Sequence, residues 1–387
     1  MNMRSILLVP VLAFALGACS PAEEGQPDRL VILDEGSVVT IDPDGANART
    51  IATATDGTFF QPIWSPDRSL LAFSGLEAEN QIYVARLDDG EVFSSPTGTF
   101  SFYFSWSPQN ELAILHNSNL APELILDTTS LRNESLADLV AVESGQPLYF
   151  SWNPNGGAFA AHIGVDRLLT NDLVGSTSLD IDPGAFAAPN WTSRGVLALN
   201  SDDPRQTLAF ITPDGAATAI ASIEGATNFV PNADGSRIAV QGLAEPSQFQ
   251  SASLQALPTL PSNRLVVVNT DTGEFTRVTA APAFAFFWSP QGDQLLVLDV
   301  VDGPRARWSV WTESGLEELV RFSPDPSFFT DVVPFFDQYA QSVSLWAPDG
   351  SAIAFAGTID GESGIWVQPL DGEPALVHGG TWVSWAP

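Results

Sequence analysis

The stretch Trp64-Ser65-Pro66-Asp67 is repeated along the chain with small changes. Closely similar stretches begin at Trp106, Trp152, Trp288 and Trp346, weaker ones lie at Trp191 and Pro231, and the chain ends on Trp385-Ala386-Pro387. Successive stretches lie 39 to 58 residues apart. Self-similarity at a period of about 45 residues is typical of folds built from one repeated supersecondary unit.

Each stretch separates two short apolar runs. Residues 100–106 form the run before the second stretch, and residues 70–73 form the run after the first. Two such runs joined by a turn rich in Pro, Asp and Gly predict a β-hairpin. A third run, 81–87, ends in the turn Asp89-Gly90, and a shorter fourth run leads into the next repeat. Four strands per repeat predict the blades of a β-propeller.

The two ends of the repeat region complement one another. Residues 29–52 supply only the later three strands of a blade, and residues 381–385 supply only a first strand. We therefore expect the C-terminal strand to pair with the N-terminal blade and close an edge that otherwise invites aggregation. The sequence predicts an all-β fold, a single propeller over residues 29–387 with eight four-stranded blades. Seven blades is the alternative, if the weak stretches at Trp191 and Pro231 are misassigned.

The Trp-Ser-Pro-Asp-Gly pattern followed by an apolar strand, as in residues 346–355, resembles the TolB-like, WD40-like (PD40-type) propeller repeats of bacterial envelope proteins. The resemblance covers residues 29–387 and implies the propeller fold, which hosts many functions. The sequence departs from TolB itself, because no α/β domain precedes the first blade and the predicted blade number exceeds six. The resemblance therefore does not imply TolB's partner.

Composition excludes several classes of protein. The 387 residues include 46 acidic and 15 basic side chains, all of the latter Arg, for a formal charge of −31. Such a chain has no basic stripe to neutralise phosphates, so we expect no nucleic-acid partner. The 44% apolar and 10% aromatic content excludes a disordered acidic chain. The single Cys excludes a disulfide framework.

The N-terminal segment reads as a targeting sequence. Arg4 precedes about eleven apolar residues, which suits a signal peptide and is too short to span a membrane. The sequence Leu16-Gly17-Ala18-Cys19 resembles the lipobox of bacterial lipoproteins, in which the Cys is acylated. We expect a signal peptide over residues 1–18, lipidation of Cys19, a flexible tether over residues 19–28 and a location on the extracytoplasmic side of the bacterial cell envelope. An ordinary secretory signal with an incidental Cys is the alternative.

The repeated Trp residues are expected to be structural. A large flat side chain suits packing between adjacent blades, where its N–H can reach a carbonyl. Stacking on sugar rings is the functional alternative. The residues concerned are Trp64, Trp106, Trp152, Trp191, Trp288, Trp346 and Trp385.

Two insertions mark a candidate binding region. Residues 242–263 lengthen a loop between second and third strands, and residues 322–339 lengthen a connection to the next blade. Both kinds of loop emerge on the same face of a propeller, so we expect the insertions to converge. The aromatic side chains of the insertions form either a buried plug over the opening of the propeller or a binding hot spot. The candidate residues are Phe249, Phe328, Phe329, Phe335, Phe336, Asp337 and Tyr339.

The functional expectation follows from these features and from missing motifs. The sequence has no Gly-x-Ser-x-Gly elbow and no Asp-x-Asp-x-Asp loop. We expect no catalytic residues, no metal and no cofactor. The prediction is a non-enzymatic, monomeric scaffold, anchored to the lipid bilayer, that binds a protein or peptide partner. The alternative is a carbohydrate or small-ligand binding protein, or a glycan-active enzyme, that uses the aromatic loops.

Overall fold

The structure is a computed structural model that describes residues 28–76, 80–118, 124–132, 135–164, 167–173, 177–181, 187–202, 205–224, 227–242, 260 and 264–387. Its strands pair antiparallel, mostly in four-stranded sheets. The expectation of an all-β fold built from four-stranded units is confirmed. The expected signal peptide, Cys19 and most of the expected tether lie outside the described residues, as does Phe249.

The first three sheets are numbered in the order in which the chain enters them. Sheet 1 contains the strands Leu30–Asp34, Ser37–Ile41, Arg49–Thr53 and Trp382–Trp385. Sheet 2 contains the strands Thr58–Trp64, Leu70–Leu76, Asn80–Arg86 and Val92–Pro96. Sheet 3 contains the strands Ser101–Trp106, Leu112–Asn117, Leu124–Thr129 and Val140–Ser144. A two-stranded ribbon, Leu131–Arg132 and Ser135–Leu136, projects from sheet 3 between its last two strands.

The remaining strands form three more four-stranded groups and an extension. Sheet 4 contains the strands Pro147–Trp152, Ala158–Ile163, Arg167–Asp172 and Thr177–Ile181. Sheet 5 contains the strands Asn190–Thr192, Gly195–Asp202, Arg205–Ile211 and Ala217–Glu224. Sheet 6 contains the strands Thr227–Pro231, Arg237–Gly242, Leu265–Asn269 and Phe275–Arg277. Sheet 7 has seven strands, Ala285–Trp288, Leu295–Asp302, Arg305–Thr312, Gly315–Pro324, Ala352–Ile359, Glu362–Pro369 and Ala375–His378.

The repeated stretch forms the turn between the first and second strands. In the first repeat Ser65 N donates to Leu70 O (2.9 Å), while Leu70 N donates to Ser65 Oγ (2.9 Å). Asp67 Oδ1 accepts a bond from Ser69 N (3.0 Å) and so fixes the turn. The next residue, Arg68, has φ of 61°, a conformation that Gly adopts without strain. This requirement explains the Gly at the same position in several other repeats, such as Gly350 with φ of 74°, and the second repeat has Asn110 there with φ of 59°.

The first and last strands of the chain lie side by side. Leu30 pairs with Trp385 and Leu33 pairs with Trp382, so sheet 1 combines three N-terminal strands with one C-terminal strand. Ala386 N donates to Arg29 O (2.8 Å) and extends this pairing by one more bond. Both chain ends of the described region therefore meet at the same end of sheet 1.

Sheet 7 joins two successive repeats. Strand Gly315–Pro324 extends beyond the expected end at Val320 and pairs with Ala352–Ile359 through Ser323–Thr358 and Pro324–Gly357. The first strand expected before Trp346 is wrong, because only a single bridge joins Trp346 to Ile353. The chain before Trp346 instead folds inward among the first strands of the other sheets.

Indole N–H groups link neighbouring sheets in a regular pattern. Trp152 Nε1 donates to Ser105 O (3.1 Å), and Ser105 immediately precedes the Trp of the previous repeat. The same relation recurs three times, as Trp64 with Ser384 O (3.3 Å), Trp288 with Val230 O (2.9 Å) and Trp346 with Phe287 O (3.1 Å). Each bond therefore adds a directional contact to the apolar area that the ring buries.

Three short helical turns interrupt the strands. They follow one another directly as the π-helix Phe328–Val332, the 3-10 helix Val333–Phe335 and the α-helix Phe336–Tyr339. Among the described residues no helix has the length and apolar character needed to cross a bilayer.

Candidate functional site

The first strands of the sheets define two faces. These strands begin at Thr58, Ser101 and Pro147 in sheets 2 to 4 and end at the repeated Trp residues. We call the face where they begin the mouth face. The face where they end, at the Trp-Ser-Pro turns, is the turn face.

Residues 325–345, which we call the plug, fill the space between the first strands. The ring of Phe336 lies 4.7 Å from that of Phe286 in sheet 7. The ring of Tyr339 lies 5.4 Å from Tyr103 in sheet 3 and 6.2 Å from Trp382 in sheet 1. All these contacts are close to edge-to-face, the arrangement that aromatic quadrupoles favour.

Polar side chains of the plug bond to the backbone of the surrounding strands. Tyr339 donates its hydroxyl to Phe102 O (3.1 Å), and Tyr103 donates its hydroxyl to Gln338 O (3.1 Å). On the other side Gln341 Nε2 donates to Pro189 O (3.1 Å), just before sheet 5. The plug is thus held by hydrogen bonds as well as by aromatic packing.

Asp337 places a carboxyl group in the buried part of the plug. Its oxygens accept hydrogen bonds from Gln338 N (3.0 Å) and, at 3.4 Å, from Ala188 N. Burial opposes the charged form and raises the pKa of Asp337 to about 6, although these two backbone bonds partly counter the rise. The negative charge also contributes to the raised pKa of Tyr149, whose main cause is burial.

A cavity of about 380 Å³ lies on the mouth face between the plug and sheets 2 to 4, and we call it the mouth pocket. Aromatic side chains make up most of its wall, together with Leu115 and Leu148. Phe335 of the plug is 47% exposed there, and Asp331 and Thr330 add polar groups at the rim. The aromatic wall consists of Phe60, Phe100, Phe102, Tyr103, Tyr149, Phe335 and Tyr339.

A larger hollow of about 600 Å³ opens on the turn face. The repeated Trp and Pro residues line it, with residues 340–345 of the plug as its floor. None of the described residues that line it has a charged side chain, and hydroxyl and amide groups such as Ser105, Ser151 and Asn190 supply its polarity. This turn-face hollow contrasts with the acidic character of the whole chain.

The structure separates the candidate residues chosen from the sequence. Phe336, Asp337 and Tyr339 are buried in the plug. Phe328 and Phe329 are half-buried, with ring centroids 6.2 Å from Trp308 and 6.1 Å from Phe284. Phe335 and Tyr339 line the mouth pocket. The remaining candidate, Phe249, lies outside the described residues.

Sequence reasoning missed most of the mouth pocket. Phe60, Phe100, Phe102 and Tyr149 lie at or near the starts of first strands, and Asp331 lies in the insertion but was not selected. The signal was present, because an aromatic residue stands three to six positions before the Trp of each of these repeats. Their convergence depends on the arrangement of three sheets, which a linear pattern does not specify.

Within the described ranges, no three His, Cys, Asp or Glu side chains come together as a set of metal ligands. The sequence matches no family model and no curated protein sequence.

Several solved structures are similar to this chain. The β-propeller domain of the Trilobed protease from Pyrococcus furiosus, described as having an open velcro topology, has a TM-score of 0.51 at 12% identity, over 84% of this chain and 97% of that one. An oligogalacturonate lyase in complex with manganese has a TM-score of 0.50 at 13% identity, over 72% and 83%. TolB from Acinetobacter baumannii has a TM-score of 0.40 at 15% identity, and the match spans 75% of this chain and only 63% of TolB.

These comparisons correct one expectation from the sequence. The expectation of a non-enzymatic protein is wrong, because the similar propellers include an enzyme, the oligogalacturonate lyase. Missing motifs of other enzyme classes therefore do not exclude activity on this fold. At 13% identity the likeness shows the fold alone. The four-stranded antiparallel sheets and the solved structures together show that the chain has a β-propeller fold.

Proposed function

We propose that the protein is a lipid-anchored, extracytoplasmic β-propeller that binds a protein or peptide partner at the mouth pocket. The observation that carries the proposal is the half-open aromatic wall of that pocket. Large apolar side chains left partly exposed in one patch are a mark of interaction sites. A cavity of about 380 Å³ has the volume to take one or two partner side chains.

The propeller of this proposal spans residues 29–387 and has eight blades, closed by the C-terminal strand. Pairing of Leu30 with Trp385 supports the closure. Sheet 7 accounts for two blades, since its seven strands and the bridge at Trp346 correspond to two repeats. Indole bonds from four of the repeats to the repeat before them support a single rotational arrangement.

Anchoring rests on the N-terminal sequence. Residues 1–18 would be removed, acylated Cys19 would enter the bilayer, and residues 19–28 would connect it to the propeller. Replacement of Cys19 by Ala should move the protein from the membrane fraction to the soluble fraction. Equal membrane retention of the C19A variant would contradict the anchor and leave the binding proposal intact.

Hydrogen bonds between the plug and the surrounding strands support the mouth pocket as a preformed site. Its walls come from first strands of three sheets, and the plug is held by bonds from Gln338, Tyr339 and Gln341 to backbone. A preformed pocket loses little conformational entropy on binding, so more of the contact energy appears as affinity. Aromatic anchors of this kind commonly dominate binding to protein partners.

A second candidate is binding of a neutral saccharide or another small ligand at the turn-face hollow. The absence of charged side chains among its described lining residues, together with its hydroxyl and amide groups beside Trp rings, favours this candidate. A panel of neutral oligosaccharides titrated against the protein would test it. Binding that Asn190→Ala weakens would support it, and no binding by any member would count against it.

The peptide proposal can be tested with a displayed peptide library. Peptides selected on the full chain should lose at least tenfold in affinity when Phe335→Ser or Phe100→Ser opens the aromatic wall. Phe275→Ser is the matched control, because Phe275 is similarly exposed, at 40%, on the outermost strand of sheet 6. The proposal is wrong if no peptide is enriched, or if all three variants bind the selected peptides equally.

A further inference from the structure

The aromatic wall of the mouth pocket is built from several independent elements. Phe60 comes from sheet 2, Phe102 from sheet 3, Tyr149 from sheet 4 and Phe335 from the plug. The rings of Phe60 and Phe100 lie 5.2 Å apart at an angle of 82°, so each supports the other. Ring faces carry a partial negative charge and attract a cation placed within about 6 Å.

One carboxylate stands at the rim of this wall. Asp331 is exposed, and its Oδ1 accepts a hydrogen bond from the neighbouring Thr330 hydroxyl (2.7 Å). None of the described residues that line the pocket is basic. The formal charge of −31 adds a long-range field of the same sign, which attracts cations to the whole surface.

Two polar side chains of the pocket, Gln61 and Gln338, already have hydrogen-bond partners in the plug or in the neighbouring strands. Gln61 Nε2 donates to the hydroxyl of Tyr339 and to Phe102 O. Gln338 uses both ends of its amide on Phe150, at 2.8 and 3.0 Å. The carboxylate of Asp331 is therefore the strongest acceptor that the pocket offers to an incoming donor.

From this combination we propose that the mouth pocket recognises the cationic end of a Lys or Arg side chain in a peptide partner. This inference rests on the proposed function and specifies its chemistry. The apolar stem of the side chain lies against Leu115, Leu148 and the rings, and the charged end reaches Asp331. A neutral apolar side chain gains the same stem contacts but offers the carboxylate no charged partner.

The test compares charged probes with neutral ones of the same shape. The full chain is titrated with N-acetyl-lysine methylamide and its norleucine counterpart, and with the arginine and citrulline pair. We expect the charged member of each pair to bind at least tenfold more tightly. The preference should shrink between 0.02 and 0.5 M salt, over which the Debye length falls about fivefold.

Variants assign the preference to one carboxylate. Asp331→Asn keeps an acceptor for Thr330 and should bring charged and neutral probes to within about twofold of each other. Asp371→Asn is the matched control, because it removes the same charge from an exposed turn after strand Glu362–Pro369 and should leave the preference unchanged. Melting temperatures equal to that of the unaltered chain would show that both variants keep the fold.

The possible outcomes separate this inference from the function on which it rests. If norleucine binds as tightly as lysine while Phe335→Ser weakens both, the inference about charge is wrong and the proposed function stands. If no probe binds and library-selected peptides ignore the pocket variants, both are wrong. The inference would also be wrong if the Asp331→Asn variant still bound the charged probes more tightly than the neutral ones.

Discussion

The side-chain amide of Gln338 forms two hydrogen bonds with the backbone of Phe150. Gln338 Nε2 donates to Phe150 O (2.8 Å), and Phe150 N donates to Gln338 Oε1 (3.0 Å). One side chain of the plug thus satisfies both backbone groups of a residue in the first strand of sheet 4, as an adjacent strand would. Both partners are buried, so water cannot replace these bonds without rearrangement.

Replacement of Gln338 by Leu should destabilise the protein by about 2–4 kcal/mol. Leucine has a similar volume but leaves a buried N–H and a buried C=O of Phe150 unpaired, at about 1–3 kcal/mol each. Urea unfolding measures the change. Gln291→Leu is the control, since its one bond, to Pro348 O (2.8 Å), is exposed. Equal losses in the two variants would contradict the structural role of Gln338.

Replacement of Asp337 by Asn should remove a pH dependence of stability. The pKa of Asp337 is about 6 in the folded protein and 3.8 without burial, so the folded state retains a proton that the unfolded state loses between these pH values. The contribution of Asp337 to the free energy of unfolding is therefore largest below pH 3.8. It falls as the pH rises to 6 and stays low at higher pH. The buried groups that it faces, Tyr149 and Tyr103, remain neutral throughout, because burial raises the pKa of each hydroxyl as well.

The size of this effect follows from the shift. Relative to the wild type, D337N should gain about 3 kcal/mol in unfolding free energy between pH 3.5 and pH 7.5. Denaturant unfolding at both values measures it, with Asp371→Asn as a control for the loss of a charge. A D337N difference that does not vary with pH would show that Asp337 is not buried as described.

Two Trp residues form a matched pair for testing the inter-sheet bonds. Trp152 Nε1 bonds to Ser105 O (3.1 Å), whereas Trp106 Nε1 is buried without a hydrogen-bond partner among the described residues. Trp152→Phe should therefore cost about 1–2 kcal/mol more than Trp106→Phe, because only the first change orphans a carbonyl. Thermal unfolding of both variants provides the comparison, and a larger loss for Trp106→Phe would contradict the assignment.

Deletion of residues 381–387 should lower stability and promote self-association. It removes strand Trp382–Trp385 and uncovers the edge of Leu30–Asp34, which then offers unpaired backbone groups to other molecules. Sedimentation velocity measures the association. A synthetic peptide of residues 379–387 should reverse the association by refilling the edge. A truncated chain that associates no more than the full chain and is equally stable would show that this strand contributes little.

Stability should rise with salt, because the chain has 46 acidic side chains and 15 Arg to balance them. Arg307 bonds to Asp299 at 2.5 Å and to Glu318 at 3.1 Å, but 15 Arg cannot neutralise the remaining acidic surface. Screening of repulsion between carboxylates should raise the melting temperature between 0.02 and 1 M KCl. A constant or falling melting temperature would show that this repulsion is unimportant.

Local sequence rules predicted the repeated elements well. The Trp-Ser-Pro turns, the hairpins around them and the C-terminal first strand depend on bonds within a few residues, such as those of Ser65 with Leu70, or on the complementary ends of the chain. Because these elements are specified locally, the sequence predicted the all-β fold class correctly.

The candidate site was less predictable, because it depends on contacts distant in sequence. Trp346 carries the complete repeat pattern, yet no strand precedes it, since residues 336–339 bond to Phe102 and Phe150 more than 180 residues away. The aromatic content of this insertion indicated either a plug or a binding surface. The structure places Phe336 in the plug and Phe335, its neighbour, in the mouth pocket.

The pairing of Leu30 with Trp385 also determines how the molecule would stand on a membrane. Trp385 ends its strand on the turn face, so the chain before Leu30 leaves from that face as well. Arg68 in the adjacent Trp-Ser-Pro turn contacts both Asp28 (3.8 Å) and Pro387 O (2.5 Å), which fixes this exit point. A lipid attached upstream would orient the turn face toward the bilayer and direct the mouth pocket away from it, toward partners that approach from the aqueous side.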